Sequence, residues 1–101
     1  MKKIIIHRDL ALEALRKHKN NFEIQYCVTK LGIFGSVARD EAKGDSDVDI
    51  VIEMKKPDLF FMVHIKETLE NEFQSSVDIV HYRNEMNKFL KERILTEAIY
   101  V

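Results

Sequence analysis

Apolar residues change their spacing several times along the chain, and each change marks an element. Leu10, Leu12 and Leu15 form an apolar face behind Asp9, a residue suited to capping, before the polar run Lys17-His18-Lys19-Asn20-Asn21. A first helix is therefore predicted over residues 9–19. Residues 29–34 are a short apolar run expected to be a strand, which Gly35-Ser36 breaks to open a short helix over residues 37–41. After a polar loop at 42–46, residues 48–53 are rich in β-branched side chains and mostly apolar, as expected of a strand buried on both faces. Pro57-Asp58 starts a helix striped by Leu59, Met62, Ile65, Leu69 and Phe73, and residues 76–82 return to strand. Asn84 is placed to cap a last helix holding Met86, Phe89, Leu90, Ile94 and Ala98. The expected architecture is α/β (α+β), one domain over residues 1–101, with a small three-stranded sheet packed against helices in two layers. Strand direction is left open by this pattern.

Composition narrows what such a domain does. With 101 residues, 46% of them hydrophobic and 33% charged, the chain can bury one core and shows none of the apolar depletion of disordered segments. Lys+Arg 16 against Asp+Glu 17 gives a net charge of -1, so no overall field draws it to nucleic acid or to a membrane surface. The apolar runs are too short to span a bilayer, and Met1-Lys2-Lys3-Ile4-Ile5-Ile6 gives way at once to His7-Arg8-Asp9. A cytoplasmic protein without a signal peptide is expected. Cys27 is the single cysteine, which excludes an internal disulfide and a multi-cysteine metal site, and it is expected to be a small buried hydrophobe.

The candidate chemistry begins at Gly35-Ser36, where a strand turns into a helix and unpaired backbone N–H groups face outward at the positive end of the helix dipole. Such a turn attracts phosphate. Gly35 allows close approach, the Ser36 hydroxyl adds a hydrogen bond, and Arg39 is one turn further on to meet a phosphate oxygen. The spacing of Gly32-Ile33-Phe34-Gly35 matches neither a Walker loop nor a dinucleotide fingerprint, and an unliganded Gly-Ser turn is common. Asp47 and Asp49 lie two apart at the start of a strand, so both carboxylates point to one face, where they repel unless a cation neutralises them. Oxygen ligands of this kind suit magnesium or manganese. The alternative is a solvated loop at Asp45, Ser46 and Asp47 with Asp49 at the strand end. Val77-Asp78-Ile79-Val80 repeats the apolar-acid-apolar pattern of Val48-Asp49-Ile50-Val51, and a carboxylate interrupting an apolar strand is costly to bury unpaired. If the two strands are neighbours, Asp78 joins the other acids beside the turn, and two metal ions about 3.5 to 4 Å apart can bridge carboxylates and triphosphate. Asp78 is then the candidate to help deprotonate an acceptor.

Gly35-Ser36, Arg39, Ser46-Asp47-Val48-Asp49 and Asp78 together resemble the motif of the polymerase-β-like nucleotidyltransferases, whose fold is a small mixed sheet with flanking helices. The short chain is similar to the minimal nucleotidyltransferases that act as antitoxins beside HEPN-domain ribonuclease toxins. That resemblance implies two magnesium ions, ATP as donor, and AMP transfer onto a tyrosine of the cognate toxin. It implies that Asp47, Asp49 and Asp78 hold metal and that Gly35, Ser36, Arg39 and Ser46 hold nucleotide. One departure is Asp40, where many relatives have glycine, which sets an extra negative charge near the turn. An antitoxin that only binds its partner stoichiometrically, with nucleotide as a structural ligand, is the rival expectation. Transfer to an RNA end or a small molecule fits less well, because no basic stripe is evident. Assembly into an oligomer is left open.

His7, His18, His64 and His81 show no pair at metal-binding spacing and are read as surface or partly buried, His81 being the one near the predicted site. Phe60, Phe61 and Val63 exceed what one helical stripe buries; core burial is expected, with any exposed remainder a partner surface.

Overall fold

The computed structural model describes residues 5–44 and 46–101. The opening residues 1–4, read above against a signal peptide, and Asp45, read as part of the polar loop, lie outside the described residues. Along the chain come α1 (Arg8–Tyr26), β1 (Val28–Phe34), α2 (Gly35–Ala38), β2 (Val48–Met54), α3 (Leu59–Phe73), β3 (Val77–His81), α4 (Lys88–Glu97) and β4 (Ile99–Tyr100). The sheet has four strands in the order β3-β2-β1-β4. β1 runs antiparallel to both β2 and β4, whereas β2 and β3 are parallel and joined through α3.

Side-chain alternation explains how the helices are distributed. Val48, Ile50 and Ile52 of β2 share one core with Ala11, Leu12, Leu15 and Phe22 of α1 and with Ile65, Leu69 and Phe73 of α3. Val51, one step out of phase, packs with Phe34 and with Ile94 of α4. β2 is thus buried on both faces, as its apolar run predicts, and α4 covers the face opposite α1 and α3.

Several expectations change. The sheet gains a fourth strand, and helices lie on both of its faces rather than forming a two-layer stack. The predicted final helix runs on to Ala98, but α4 ends at Glu97 and the chain turns into β4, where Gly32 pairs with Tyr100 and Ile33 with Ile99. Gly32 makes this pairing possible: a Cβ there would stand 2.6 Å from the Ile99 carbonyl oxygen. Asn87, not Asn84, caps α4, its Oδ1 accepting from the Leu90 N–H at 3.1 Å. α1 runs to Tyr26, past the polar stretch that was expected to end it, because Phe22 on the next turns reaches the core. Asp9 lies in its first turn instead of capping it. α2 ends at Ala38, short of the predicted 41. Cys27 is exposed, taking the left-handed conformation (φ 57°) that closes α1. Phe60 and Val63 are exposed (79% and 52%), as is Leu59 at 78%, while Phe61 is partly buried against Tyr26. Among the described residues no helix is long and apolar enough to cross a membrane.

Candidate active site

The predicted acids meet at one end of the sheet. Phe34 of β1, Asp49 of β2 and Asp78 of β3 are successive register partners across three strands, so Asp49 and Asp78 are direct neighbours on one face. Alternation puts that face on the side of α4, because Val51 and Phe34 point to Ile94. Asp47 lies just before β2 and is exposed, as is Asp78; Asp49 is partly buried. Burial raises the Asp49 carboxyl above its ordinary range, and the like charge of Asp78 pushes it further. Arg93 opposes that rise, and Asp47 and Glu97 add to it. Asp47 and Asp78 are therefore both close enough to Asp49 to act on it electrostatically.

The Gly35 turn adjoins these acids. Gly35 follows Phe34 directly and takes φ +73°, the left-handed region that a side chain disfavours. A Cβ at this position would collide with Asp49 Oδ2 and come within 3.4 Å of Arg93 Nη2. Glycine is thus required both by the backbone angle and by the carboxylate packed against it. The Gly35 N–H donates to Glu97 Oε1 at 3.0 Å, and Arg39 Nη1 donates to the same oxygen at 2.8 Å. Arg39 Nε also meets Glu41 at 3.3 Å.

The remaining predicted residues are placed less directly. Ser36 is partly buried in α2, and its carbonyl accepts from the Glu41 N–H at 2.8 Å. Ser46 braces the loop before β2: its hydroxyl accepts from the Lys43 N–H at 2.9 Å. The Asp40 carboxylate is engaged at the start of α1, accepting from the Arg8 N–H at 3.0 Å. That contact holds its carboxyl below the ordinary range. Its φ of 59° is the left-handed conformation, so a glycine in this place would meet the same backbone demand without strain. His81 belongs to the other end of β3, out of phase with Asp78, and its Nε2 accepts from the Met54 N–H at 3.2 Å.

Two residues of the site carry no signal in the sequence. Arg93 and Glu97 stand four apart on α4, a spacing that reads as a solvated helical pair. Only the packing of Ile94 against Phe34 and Val51 brings them over the turn, where the Arg93 guanidinium lies 5.7 Å from the Phe34 ring centre.

Among the described residues no three His, Cys, Asp or Glu side chains are grouped so as to hold a metal ion by themselves. The donor set nevertheless fits magnesium, which is commonly held by one or two carboxylates together with water and substrate phosphates. The like charges of Asp78 and Asp47 facing Asp49 are of the kind that a divalent cation relieves.

The family described as "Polymerase beta, Nucleotidyltransferase" matches residues 13–101. The protein adenylyltransferase MntA of Thermococcus cleftensis is 34% identical over 88 residues, covering 86% of this chain and 88% of that one. A solved structure assigned to a minimal nucleotidyltransferase superposes with a TM-score of 0.68 at 34% identity, over 87% of this chain and 93% of that one. A Shewanella oneidensis complex of a tri-AMPylated HEPN toxin with its MNT antitoxin shares the fold at 19% identity, with a TM-score of 0.66 over 92% of this chain and 70% of that one. With a family match running from residue 13 to residue 101 and a relative one-third identical across most of both chains, this chain belongs to the polymerase β nucleotidyltransferases, a family of nucleotide-transferring enzymes.

Proposed function

We propose that the protein transfers AMP from ATP to a hydroxyl of a cognate HEPN-type toxin, a tyrosine by resemblance, and thereby acts as its antitoxin. The observation that carries this reading is the juxtaposition of Asp49, Asp78 and the Gly35 turn: an acidic pair abutting a left-handed glycine bend. Relatives named as protein adenylyltransferases and a structural neighbour holding an AMPylated toxin support it.

In this reading the Gly35 N–H, the Ser36 hydroxyl and Arg39 hold the triphosphate, Ser46 shapes the loop beside it, and Asp47, Asp49 and Asp78 hold two magnesium ions. Magnesium, when bound, supplies the positive charge that neutralises the triphosphate and the departing pyrophosphate. The acceptor hydroxyl oxygen bonds to the α-phosphorus, the bond to the bridging oxygen breaks, and pyrophosphate leaves. Asp78, exposed at the start of an edge strand, takes the hydroxyl proton. Arg93 lies on the same side and adds a positive charge against the acids.

The test incubates the protein with α-labelled ATP, magnesium and its toxin. Label should pass to the toxin and fall by at least about two orders of magnitude in Asp49→Asn, because even groups supporting metal ligands are worth 10- to 100-fold. Undiminished transfer by Asp47→Asn with Asp49→Asn would overturn the reading. The rival, neutralisation by binding alone, draws on the exposed Leu59, Phe60 and Val63 of α3. It predicts that a variant with all three aspartates changed to asparagine still protects against the toxin.

A further inference from the structure

The donors that the preceding reading gives to the triphosphate already hold an anion. Glu97 Oε1 accepts from both the Gly35 N–H, at 3.0 Å, and Arg39 Nη1, at 2.8 Å. Its side chain is 20% exposed, against 41% for Arg39, so the carboxylate lies on the inner side of the pair. Apart from Arg93 one turn earlier, its own helix does not favour a charge there. Glu97 is the last residue of α4, where a carboxylate opposes the negative end of the helix dipole, and no basic residue occupies the last turn. It also stands near Asp49, whose carboxyl it pushes upward. The Gly35 N–H and Arg39 are what offset these costs, and in return Glu97 spares the Gly35 N–H a partly buried, unmade hydrogen bond.

We propose that Glu97 is an internal surrogate for phosphate, occupying the Gly35–Arg39 seat in the nucleotide-free protein and yielding it to the triphosphate. This rests on the nucleotidyltransferase reading of the site. The physical consequence is a threshold. A ligand must displace a carboxylate bound by two donors, one of them charged, so a multiply charged triphosphate succeeds where a weaker anion does not. The exchange need not unseat α4, because Ile94, three residues earlier, stays anchored against Phe34 and Val51 while the Glu97 side chain rotates. Arg93, one turn before Glu97, remains beside the turn as the carboxylate leaves.

The experiment measures binding of magnesium-ATP and, separately, of adenosine to the wild-type protein and to Glu97→Gln by calorimetry. Glutamine keeps an oxygen able to accept from Gly35 but removes the charge, so the fold is retained and the competitor weakened. ATP should bind about fivefold more tightly to Glu97→Gln, the upper end for losing one part-exposed ion pair, while adenosine binding stays unchanged. Glu97→Asp, with an arm too short to serve both donors, should shift ATP binding in the same direction and keeps the test available if the glutamine variant does not fold. Wild-type binding of ATP with no gain in either variant overturns the surrogate and leaves the transferase reading standing. An equal gain for adenosine also overturns it, by showing a general loosening of the site. Failure of every protein to bind ATP overturns both ideas together.

Discussion

Gly35 shows how one residue can be fixed by two unrelated demands. Its φ of +73° disfavours a side chain, and the space a Cβ would fill holds the Asp49 carboxylate. Gly35→Ala should therefore cost about 1–2 kcal/mol from the backbone alone, with more from displacing Asp49, and a urea melt would register it. Asp49 itself is expected to trade stability for function. Burial and its acidic neighbours disfavour its charge, so Asp49→Asn should raise the melting temperature in magnesium-free buffer at neutral pH while transfer is lost. Asp40 behaves in the opposite sense. Its lowered carboxyl favours the folded state above the unfolded carboxyl value, and that contribution is lost as pH falls through the folded value. Asp40→Asn should accordingly flatten the acid limb of the stability profile, as followed by thermal melts across pH. At this scale the sequence reveals the acids and the turn, because charges inside apolar strands and a glycine at a strand end are local patterns. It conceals Glu97 and Arg93, whose relevance exists only once α4 has been laid over β1 and β2.

The boundaries of the elements depend on contacts that no local period displays, whereas their identities do not. β1, β2, α3 and β3 stand where the apolar spacing predicts them, since each is long enough to display its period. α3 also has a local signal at its start: Asp58 accepts from the Phe60 N–H at 2.9 Å and the Phe61 N–H at 3.1 Å. Asp58→Ala should remove about 1 kcal/mol, measured by chemical denaturation. α1 extends beyond its polar stretch because Phe22 finds a distant core, and β4 has no sequence signal because two residues are too few to alternate. α4 depends most on a single anchor. Ile94 is its one fully buried residue and belongs to the small cluster with Phe34 and Val51. Ile94→Ala should cost about 2–5 kcal/mol and free α4 from the sheet, which would appear as rapid amide exchange along residues 88–97.

For the whole molecule, the sheet carries the site at one end and leaves α3 with an exposed apolar row at Leu59, Phe60 and Val63. Binding of magnesium-ATP to the folded state alone should raise the apparent stability by about 2.7 kcal/mol at a concentration one hundred times the dissociation constant. A chelator should reverse that gain in a thermal-shift assay. The mixed pairing of the sheet also governs when the site comes into being. Asp49 and Asp78 become neighbours only after the crossover through α3 has set the parallel register, and the Gly35–Glu97 contact spans 62 positions of sequence. Contacts between such distant partners form slowly, because long loops must close before they are rewarded. A refolding chain should thus recover its helical circular dichroism before its competence to capture nucleotide, and the interval between the two signals would time the docking of β3 and α4.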